Sequence, residues 1–226
     1  MAAAQVQAQS VSYDNTGAWD GVQSLSVWGT GLDCTATYGE TFFAPSLSSV
    51  SLDSFTFYLQ GDSYFGGSGN SVTFQADIYS WDGINSVATG PALFSQNFLF
   101  TDNGSFQAVT ANTGGITLTP GASYIALFTT SDPASLGANG NSTAGFYWER
   151  VGSSEVNDGG GSGVYYNNST SSQLTDGSTW DGGTNSFGTF AWQATFNTDP
   201  TPEPSTIALA GLGIAALLLR RNKSKK

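Results

Sequence analysis

The 226-residue sequence contains no histidine, which removes the commonest general base and the commonest zinc ligand together. It has a single cysteine, Cys34, so no intramolecular disulfide can form. Basic residues are also scarce, because Arg150 is the only one before position 220. Since the body of the chain also lacks lysine, none of its serines has the usual base beside it. We therefore expect no enzyme activity and no cofactor.

Positive charge is nearly missing from the body of the chain. Residues 1–199 hold sixteen Asp and Glu against one Arg, which gives a net charge near −15. Such a surface repels nucleic acid and anionic lipid, so we expect no nucleic-acid partner. A glycosidase would need a carboxylate pair, but no local motif distinguishes Glu40, Glu149 or Glu155 for that role.

The body also lacks any stretch with the 3.6-residue apolar period of an amphipathic helix. It has instead short alternating segments, separated by clusters of Gly, Asn, Asp and Pro. The in-phase apolar residues of three such segments are Phe55, Phe57 and Leu59; Val72, Phe74, Ala76 and Ile78; and Phe190, Trp192, Ala194 and Phe196. Each set predicts a strand with one buried face. About ten such segments predict an all-β fold, an antiparallel β-sandwich or jelly roll.

The last 26 residues differ in composition from everything before them. Pro202, Glu203 and Pro204 precede an uncharged apolar run, which ends at a basic segment containing Arg220, Arg221 and Lys223. A helix over residues 205–219 would be about 22 Å long, whereas a bilayer core is ~30 Å thick. Because the run has no polar face, it predicts a short C-terminal membrane helix rather than a core helix. Its anchoring residues are Ile207, Leu209, Leu212, Ile214, Leu217, Leu218 and Leu219.

This order of Pro-Glu-Pro, apolar helix and Arg-rich end resembles the PEP-CTERM sorting signal of Gram-negative bacteria and cyanobacteria. The resemblance implies export, transient anchoring in the inner membrane, and processing by an exosortase. The protein would then be released to the cell surface or the extracellular matrix of a biofilm. The body also resembles the globular part of many PEP-CTERM proteins, in residues 52–59, 88–93, 121–126 and 190–196. That resemblance implies a β-sandwich without an assigned enzymatic activity.

These observations divide the chain into five parts. Residues 1–10 contain small-residue patterns typical of a signal-peptidase site, so we interpret them as the remnant of a signal peptide or as a flexible N-terminus. Residues 11–197 form the β-sandwich domain, and residues 198–205 form a proline-rich linker that carries the sorting motif. Residues 206–219 form the transmembrane helix, and residues 220–226 form a basic cytoplasmic tail.

A Trp-Asp-Gly triplet occurs three times, at residues 19–21, 81–83 and 180–182. The unequal spacings exclude a propeller repeat. One interpretation is a strand-end Trp followed by an Asp-Gly turn. The other is a sugar-binding aromatic with an adjacent carboxylate that accepts hydroxyl hydrogen bonds. On the second interpretation the candidate ligand-binding residues are Trp81, Asp82, Trp180 and Asp181.

A metal site has no local motif in this sequence. The EF-hand spacing is missing, and the glycine-rich run at residues 160–163 has Tyr165 where a calcium repeat needs Asp. A calcium site assembled from Asp158, Asp176 and Asp181 is the open alternative. The first function that follows for the body is a non-enzymatic structural or adhesive domain. The alternatives are a carbohydrate-binding module, with or without calcium, that binds exopolysaccharide, and a hydrolase of matrix polysaccharide.

Overall fold

The structure is a computed structural model. It describes residues 9–19, 28–29, 35–61, 71–131, 146–148, 150–151, 159–182 and 188–198. The strands in these ranges, in chain order, are β1 (Gln9–Asp14), β2 (Thr37–Phe43), β3 (Val50–Gly61), β4 (Ser71–Asp82), β5 (Val87–Thr101), β6 (Gln107–Leu118), β7 (Ser123–Thr129), β8 (Phe146–Trp148), β9 (Arg150–Val151), β10 (Gly163–Tyr166), β11 (Asp181–Gly182), β12 (Thr189–Phe190) and β13 (Trp192–Thr198). Short 3-10 helices span Thr16–Ala18 and Ser171–Thr175.

Two antiparallel sheets contain most of these strands. The first has the order β1-β13-β3-β6, and β8 pairs with the end of β3. The second has the order β11-β10-β2-β7-β4-β5. Strands β9 and β12 form a separate antiparallel pair. Apart from the pairs β4-β5 and β10-β11, neighbours in each sheet are not consecutive in the sequence, so crossovers connect most of the fold.

The alternating apolar residues of the two sheets face each other and form one core. Phe55, Phe57 and Leu59 on β3 are fully buried, as are the alternate residues of β4 and β13. Between the sheets, the rings of Phe57 and Phe128 lie 5.1 Å apart and those of Phe42 and Trp192 lie 5.5 Å apart. The three alternating sets predicted from the sequence are thus confirmed as core faces, but the third is not one strand, since Phe190 lies on β12 and the other three residues lie on β13. Burial of this aromatic area is the main term that stabilises the fold.

Two neighbouring glycines lie inside strand β6, although such a pair usually ends a strand. Gly114 and Gly115 both have positive φ, and they form a bulge opposite Asp53 on β3. A residue with a Cβ adopts that backbone conformation only with strain, so glycine permits the bulge without ending the strand.

The prediction of an all-β fold with antiparallel sheets is confirmed. Strand β1 begins at Gln9, inside the segment interpreted as a signal remnant or flexible N-terminus, and pairs along its length with β13. The predicted C-terminal helix lies outside the described residues. The sequence also predicts a strand at residues 24–28, of which only Trp28 is described, and Trp28 forms an isolated bridge with Thr35. Within the described ranges, no helix is long and apolar enough to cross a membrane.

Candidate functional site

A second hydrophobic cluster covers the outer face of the six-stranded sheet. Ile125 and Leu127 of β7 project to this face because their neighbours on the strand point into the main core. Leu174 and Trp180, from the segment that follows β10, pack over them. Trp180 is 2% exposed, and its indole N–H donates to the Leu174 carbonyl at 3.4 Å. Trp180 is therefore a buried packing residue of this cluster.

Asn168 holds the start of the covering segment against the sheet. Its side-chain oxygen accepts a hydrogen bond from the Thr37 hydroxyl at 2.6 Å. Its amide nitrogen donates to the Ser131 hydroxyl and to the Thr170 carbonyl, both at 2.9 Å. Asn168 is 5% exposed, so these bonds satisfy an amide that water does not reach.

Trp81 lies at the margin of this cluster and is half-buried. Its ring meets the Trp180 ring edge-on, with the centroids 5.7 Å apart. The structure therefore brings together the two tryptophans that the sequence put forward for ligand binding. Only Trp81 of the pair retains exposed ring surface at an open groove.

The groove lies where β2, β7 and β4 reach the same end of the sheet. Phe43 pairs with Ser123, and Tyr124 pairs with Ser80, so Phe43, Ser123 and Trp81 form one row across three neighbouring strands. With strands ~4.8 Å apart, the two aromatic positions are separated by about 10 Å. The groove has a volume of about 330 Å³, and its lining residues are Thr41, Phe42, Phe43, Trp81, Gly83, Ser86, Ser123, Gly160, Gly161 and Ser162.

A glycine run forms one wall of the groove by lying close against β2. The Thr41 amide donates to the Ser162 carbonyl at 3.0 Å, and the Ser162 amide donates to the Thr41 hydroxyl at 2.9 Å. A Cβ on Gly161 would lie 1.4 Å from the Thr41 carbonyl oxygen, so only glycine fits there. The run at residues 160–163 therefore serves a close backbone approach in this fold.

The turn between β4 and β5 forms the opposite margin. The Asp82 carboxylate accepts hydrogen bonds from the backbone amides of Ile84 and Asn85 at 2.9 and 3.2 Å, and from the Asn85 side chain at 2.7 Å. These bonds, the Asn85 side chain foremost, lower the pKa of Asp82. Ser86 closes the turn with a φ of +54°. The second Trp-Asp-Gly triplet thus forms an Asp-centred turn beside the groove.

Asp181 lies apart from the groove. It is exposed on β11 and pairs with Tyr165 of β10. The Asp176 carboxylate accepts from the Ser178 amide at 2.8 Å, and that backbone bond lowers its pKa. Among the described residues, no three acidic or cysteine side chains are grouped as metal ligands, and Asp158 lies outside those residues.

Asp77 is a buried carboxyl group that the sequence pattern did not distinguish. It lies on the outer face of β4, is 0% exposed, and pairs across the sheet with Ser95 and Leu127. The Ser95 hydroxyl donates to its Oδ1 at 2.5 Å, and Oδ2 has no hydrogen-bond partner within the described part of the chain. Burial raises the pKa of Asp77 to about 7, against the lowering effect of the Ser95 hydrogen bond.

Phe43, which is 49% exposed and lines the groove, is not among the site residues predicted from the sequence. The adjacent phenylalanines Phe42 and Phe43 in one strand indicate an outward-facing aromatic ring. Neighbouring residues of a strand point to opposite faces, so one of the two rings must face outward. The hydroxyl groups of Ser123 and Ser162 carry no such signal, because serine is common throughout the body.

Comparison with known proteins identifies the tail. A family described as the PEP-CTERM protein-sorting motif matches residues 200–222. The class defined by fold and tail is an all-β protein with a C-terminal sorting signal. The chain carries the PEP-CTERM signal, which implies export and sorting to the cell surface with an exosortase as processing partner. Pro202, Glu203 and Pro204 lie within the matched residues. The predicted anchoring residues also lie within them, with Arg220 and Arg221, and Lys223 follows the match. All of them lie outside the described residues.

Two solved structures resemble the fold at low identity. One is a variant of the clostridial cysteine protease Cwp84 after propeptide cleavage, with a TM-score of 0.46 and 14% identity over 84% of this chain. The other comprises the cysteine protease and lectin-like domains of Cwp84, a surface layer associated protein of Clostridium difficile, with a TM-score of 0.44 and 15% identity over 84% of this chain. This chain covers 40% and 36% of those chains. No curated protein gave a significant match.

Proposed function

We propose that this protein is a non-enzymatic structural or adhesive component of the cell surface or extracellular matrix of a Gram-negative-type bacterium. The observation that carries the proposal is the PEP-CTERM motif at residues 200–222, placed directly after the last strand of an all-β body. The apolar run within the motif anchors the chain in the inner membrane until an exosortase removes it. A run of about 22 Å suits a temporary anchor better than a permanent one.

The position of β13 supports removal of the tail after export. This strand pairs with β1 on one side and β3 on the other, and its last paired residues are Asn197 and Thr198. A cut near Pro202, Glu203 and Pro204 would leave every one of these pairs in place. The body would therefore keep its fold after processing.

We propose further that the body is a jelly roll. Numbering its eight principal strands from one to eight gives sheet orders of 1-8-3-6 and 2-7-4-5. In this order strand 1 pairs with 8, 2 with 7, 3 with 6, and 4 with 5. The same pairs result when one long antiparallel hairpin, with strands 1–4 in one arm and 5–8 in the other, is folded into two facing sheets. The strand order is the support for this assignment.

The residue inventory supports a role without catalysis. The body has no histidine and no lysine, and within the ranges that the structure describes the carboxyl groups of Glu40 and Asp77 are fully buried. Glu40 Oε2 accepts a hydrogen bond from the Phe190 backbone amide at 2.9 Å, which ties β2 to β12. These acids hold strands together from positions that a polymeric substrate cannot reach.

The sorting part of the proposal is tested by comparing a host with its exosortase and the same host without it. We expect the full chain to reach the cell surface in a shortened form only when the exosortase is present. A Glu203→Ala variant should accumulate in the membrane fraction at full length, whereas Glu155→Ala, a matched change in the body, should be processed normally. Equal shortening in both hosts would refute exosortase processing.

Carbohydrate binding, with or without calcium, is the second candidate function, and the groove beside Trp81 and Phe43 favours it. Ligand sites in proteins are concave and combine aromatic walls with a few polar groups, and this groove has both. Glycan-array binding that is lost in Trp81→Ala would support it over a purely structural role. A calcium requirement would appear as binding that is lost with EDTA and regained with calcium.

A further inference from the structure

We propose that the groove between Phe43 and Trp81 binds a pyranose unit of a neutral polysaccharide. This inference rests on the second candidate function and specifies its site and ligand class. The evidence comes from the arrangement of the two rings, from the polar groups between them, and from the charge of the surrounding surface.

The two rings are placed to contact the apolar faces of one sugar ring. Phe43 and Trp81 occupy the outer positions of a row whose centre is Ser123, and about 10 Å separates their strands. Phe43 is 49% exposed although it lies in a regular strand, whereas Phe42 beside it is fully buried. Aromatic side chains give a large apolar contact for little loss of conformational freedom, which suits the C–H face of a pyranose.

The polar groups of the groove match the hydroxyl edge of a sugar. Three serine hydroxyls, from Ser86, Ser123 and Ser162, line it together with the backbone of Gly160 and Gly161. Each hydroxyl both donates and accepts, as sugar hydroxyls do. A volume of about 330 Å³ lies at the small end of the range for ligand sites, which suits one ring rather than a long chain segment.

Charge selects a neutral sugar over a uronic acid. None of the ten lining residues is charged, and the carboxylate of Asp82 lies next to Trp81 at the margin. Residues 1–199 contain sixteen acidic residues and one basic residue, so a uronate would meet repulsion without a cation partner. Removing a sugar carboxylate from water without such a partner is strongly unfavourable.

The test uses the full chain in mild detergent, with affinity electrophoresis and calorimetry against dextran, galactomannan and alginate. We expect binding to at least one of the two neutral polymers and none to alginate. Phe43→Ala should weaken binding by about tenfold or more, as expected for loss of one of the two aromatic contacts. Ser123→Leu should do the same by filling the groove. Leu99→Ala, which removes a 61% exposed apolar side chain on β5, should bind as the parent does.

The outcomes separate the site from the function. Binding to none of the three polymers would overturn the second candidate function and this site with it. Neutral-polymer binding that Phe43→Ala and Ser123→Leu leave unchanged would refute the groove but keep the function. Alginate binding equal to that of the neutral polymers would refute the charge argument. Trp81→Ala would also remove packing against Trp180, so Phe43→Ala and Ser123→Leu are the variants that test whether the groove is the binding site. Thermal melting shows whether both variants remain folded.

Discussion

Replacement of Asp77 by asparagine gives a quantitative test of the outer face of the six-stranded sheet. The carboxyl group is fully buried on β4, with the Ser95 hydroxyl on one oxygen. Burial raises its pKa from 3.8 to about 7, so the folded protein favours the neutral acid. Asparagine has nearly the same shape, and its oxygen can accept the same Ser95 hydrogen bond. The variant therefore removes the ionisation and keeps the contact.

The sign and size of the effect follow from linkage. Because the pKa of Asp77 is higher in the folded state than in the unfolded chain, its stabilising contribution is complete below pH 3.8 and is lost as the pH rises to about 7. At about 1.4 kcal/mol per pH unit, the total loss is about 4 kcal/mol, of which about 3 kcal/mol falls between pH 5 and pH 8. The unpartnered amide N–H groups of asparagine cost about 1 to 3 kcal/mol at every pH.

The assay is urea unfolding followed by tryptophan fluorescence at pH 5, 6, 7 and 8. The free energy of unfolding of Asp77→Asn relative to the parent should rise by about 3 kcal/mol between pH 5 and pH 8. We expect the variant to be as stable as the parent or less stable at pH 5, and more stable than the parent by about 1 to 3 kcal/mol at pH 8. Asp82→Asn is the control, because hydrogen bonds from Asn85 and Ile84 lower the pKa of Asp82, so it titrates below this range.

A difference between Asp77→Asn and the parent that stays constant from pH 5 to pH 8 would refute the reasoning. It would mean that Asp77 is ionised in the folded protein throughout, and therefore that water reaches it.

Three further substitutions test the packing around the groove, each by thermal and urea unfolding. Gly161→Ala should destabilise the fold by about 2 to 3 kcal/mol because its Cβ would overlap the Thr41 carbonyl, whereas Gly17→Ala, with open space around it, should change stability by less than about 0.5 kcal/mol. Trp180→Ala should cost about 3 to 5 kcal/mol, and a loss below about 1 kcal/mol would contradict its place in the outer cluster. Asn168→Ala should cost about 2 kcal/mol by leaving its buried partners unsatisfied, and an unchanged unfolding free energy would refute that network.

Local periodicity predicted the core faces correctly because burial on one side of a strand requires apolar side chains at alternate residues. Phe74, Ala76 and Ile78 on β4 are the clearest case. The sequence does not predict strand β1, because Val11 and Tyr13 are the only apolar residues in Gln-Ser-Val-Ser-Tyr-Asp. Backbone hydrogen bonds to β13 hold this strand in place, and backbone pairing does not require particular side chains.

Only one side of the groove could be predicted from the sequence, because its residues come from separate strands. Trp81 was proposed from its own triplet, but its neighbours Phe43 and Ser123 come from two other strands. Strand order depends on long-range packing, and the pattern within one strand does not encode it. Trp180 shows the reverse case, since the same triplet occurs there but the segment after β10 folds its tryptophan into a buried cluster.

The measurement that tests the sorting assignment most directly is the mass of the C-terminal peptide of the protein recovered outside the cell. The PEP-CTERM signal predicts that this form ends near Pro202, Glu203 and Pro204 and lacks the apolar run. Peptides from residues 9–198 should be recovered in full, because the proposed cut lies beyond the last strand pair. An exported form that still ends at Lys226 would contradict the account.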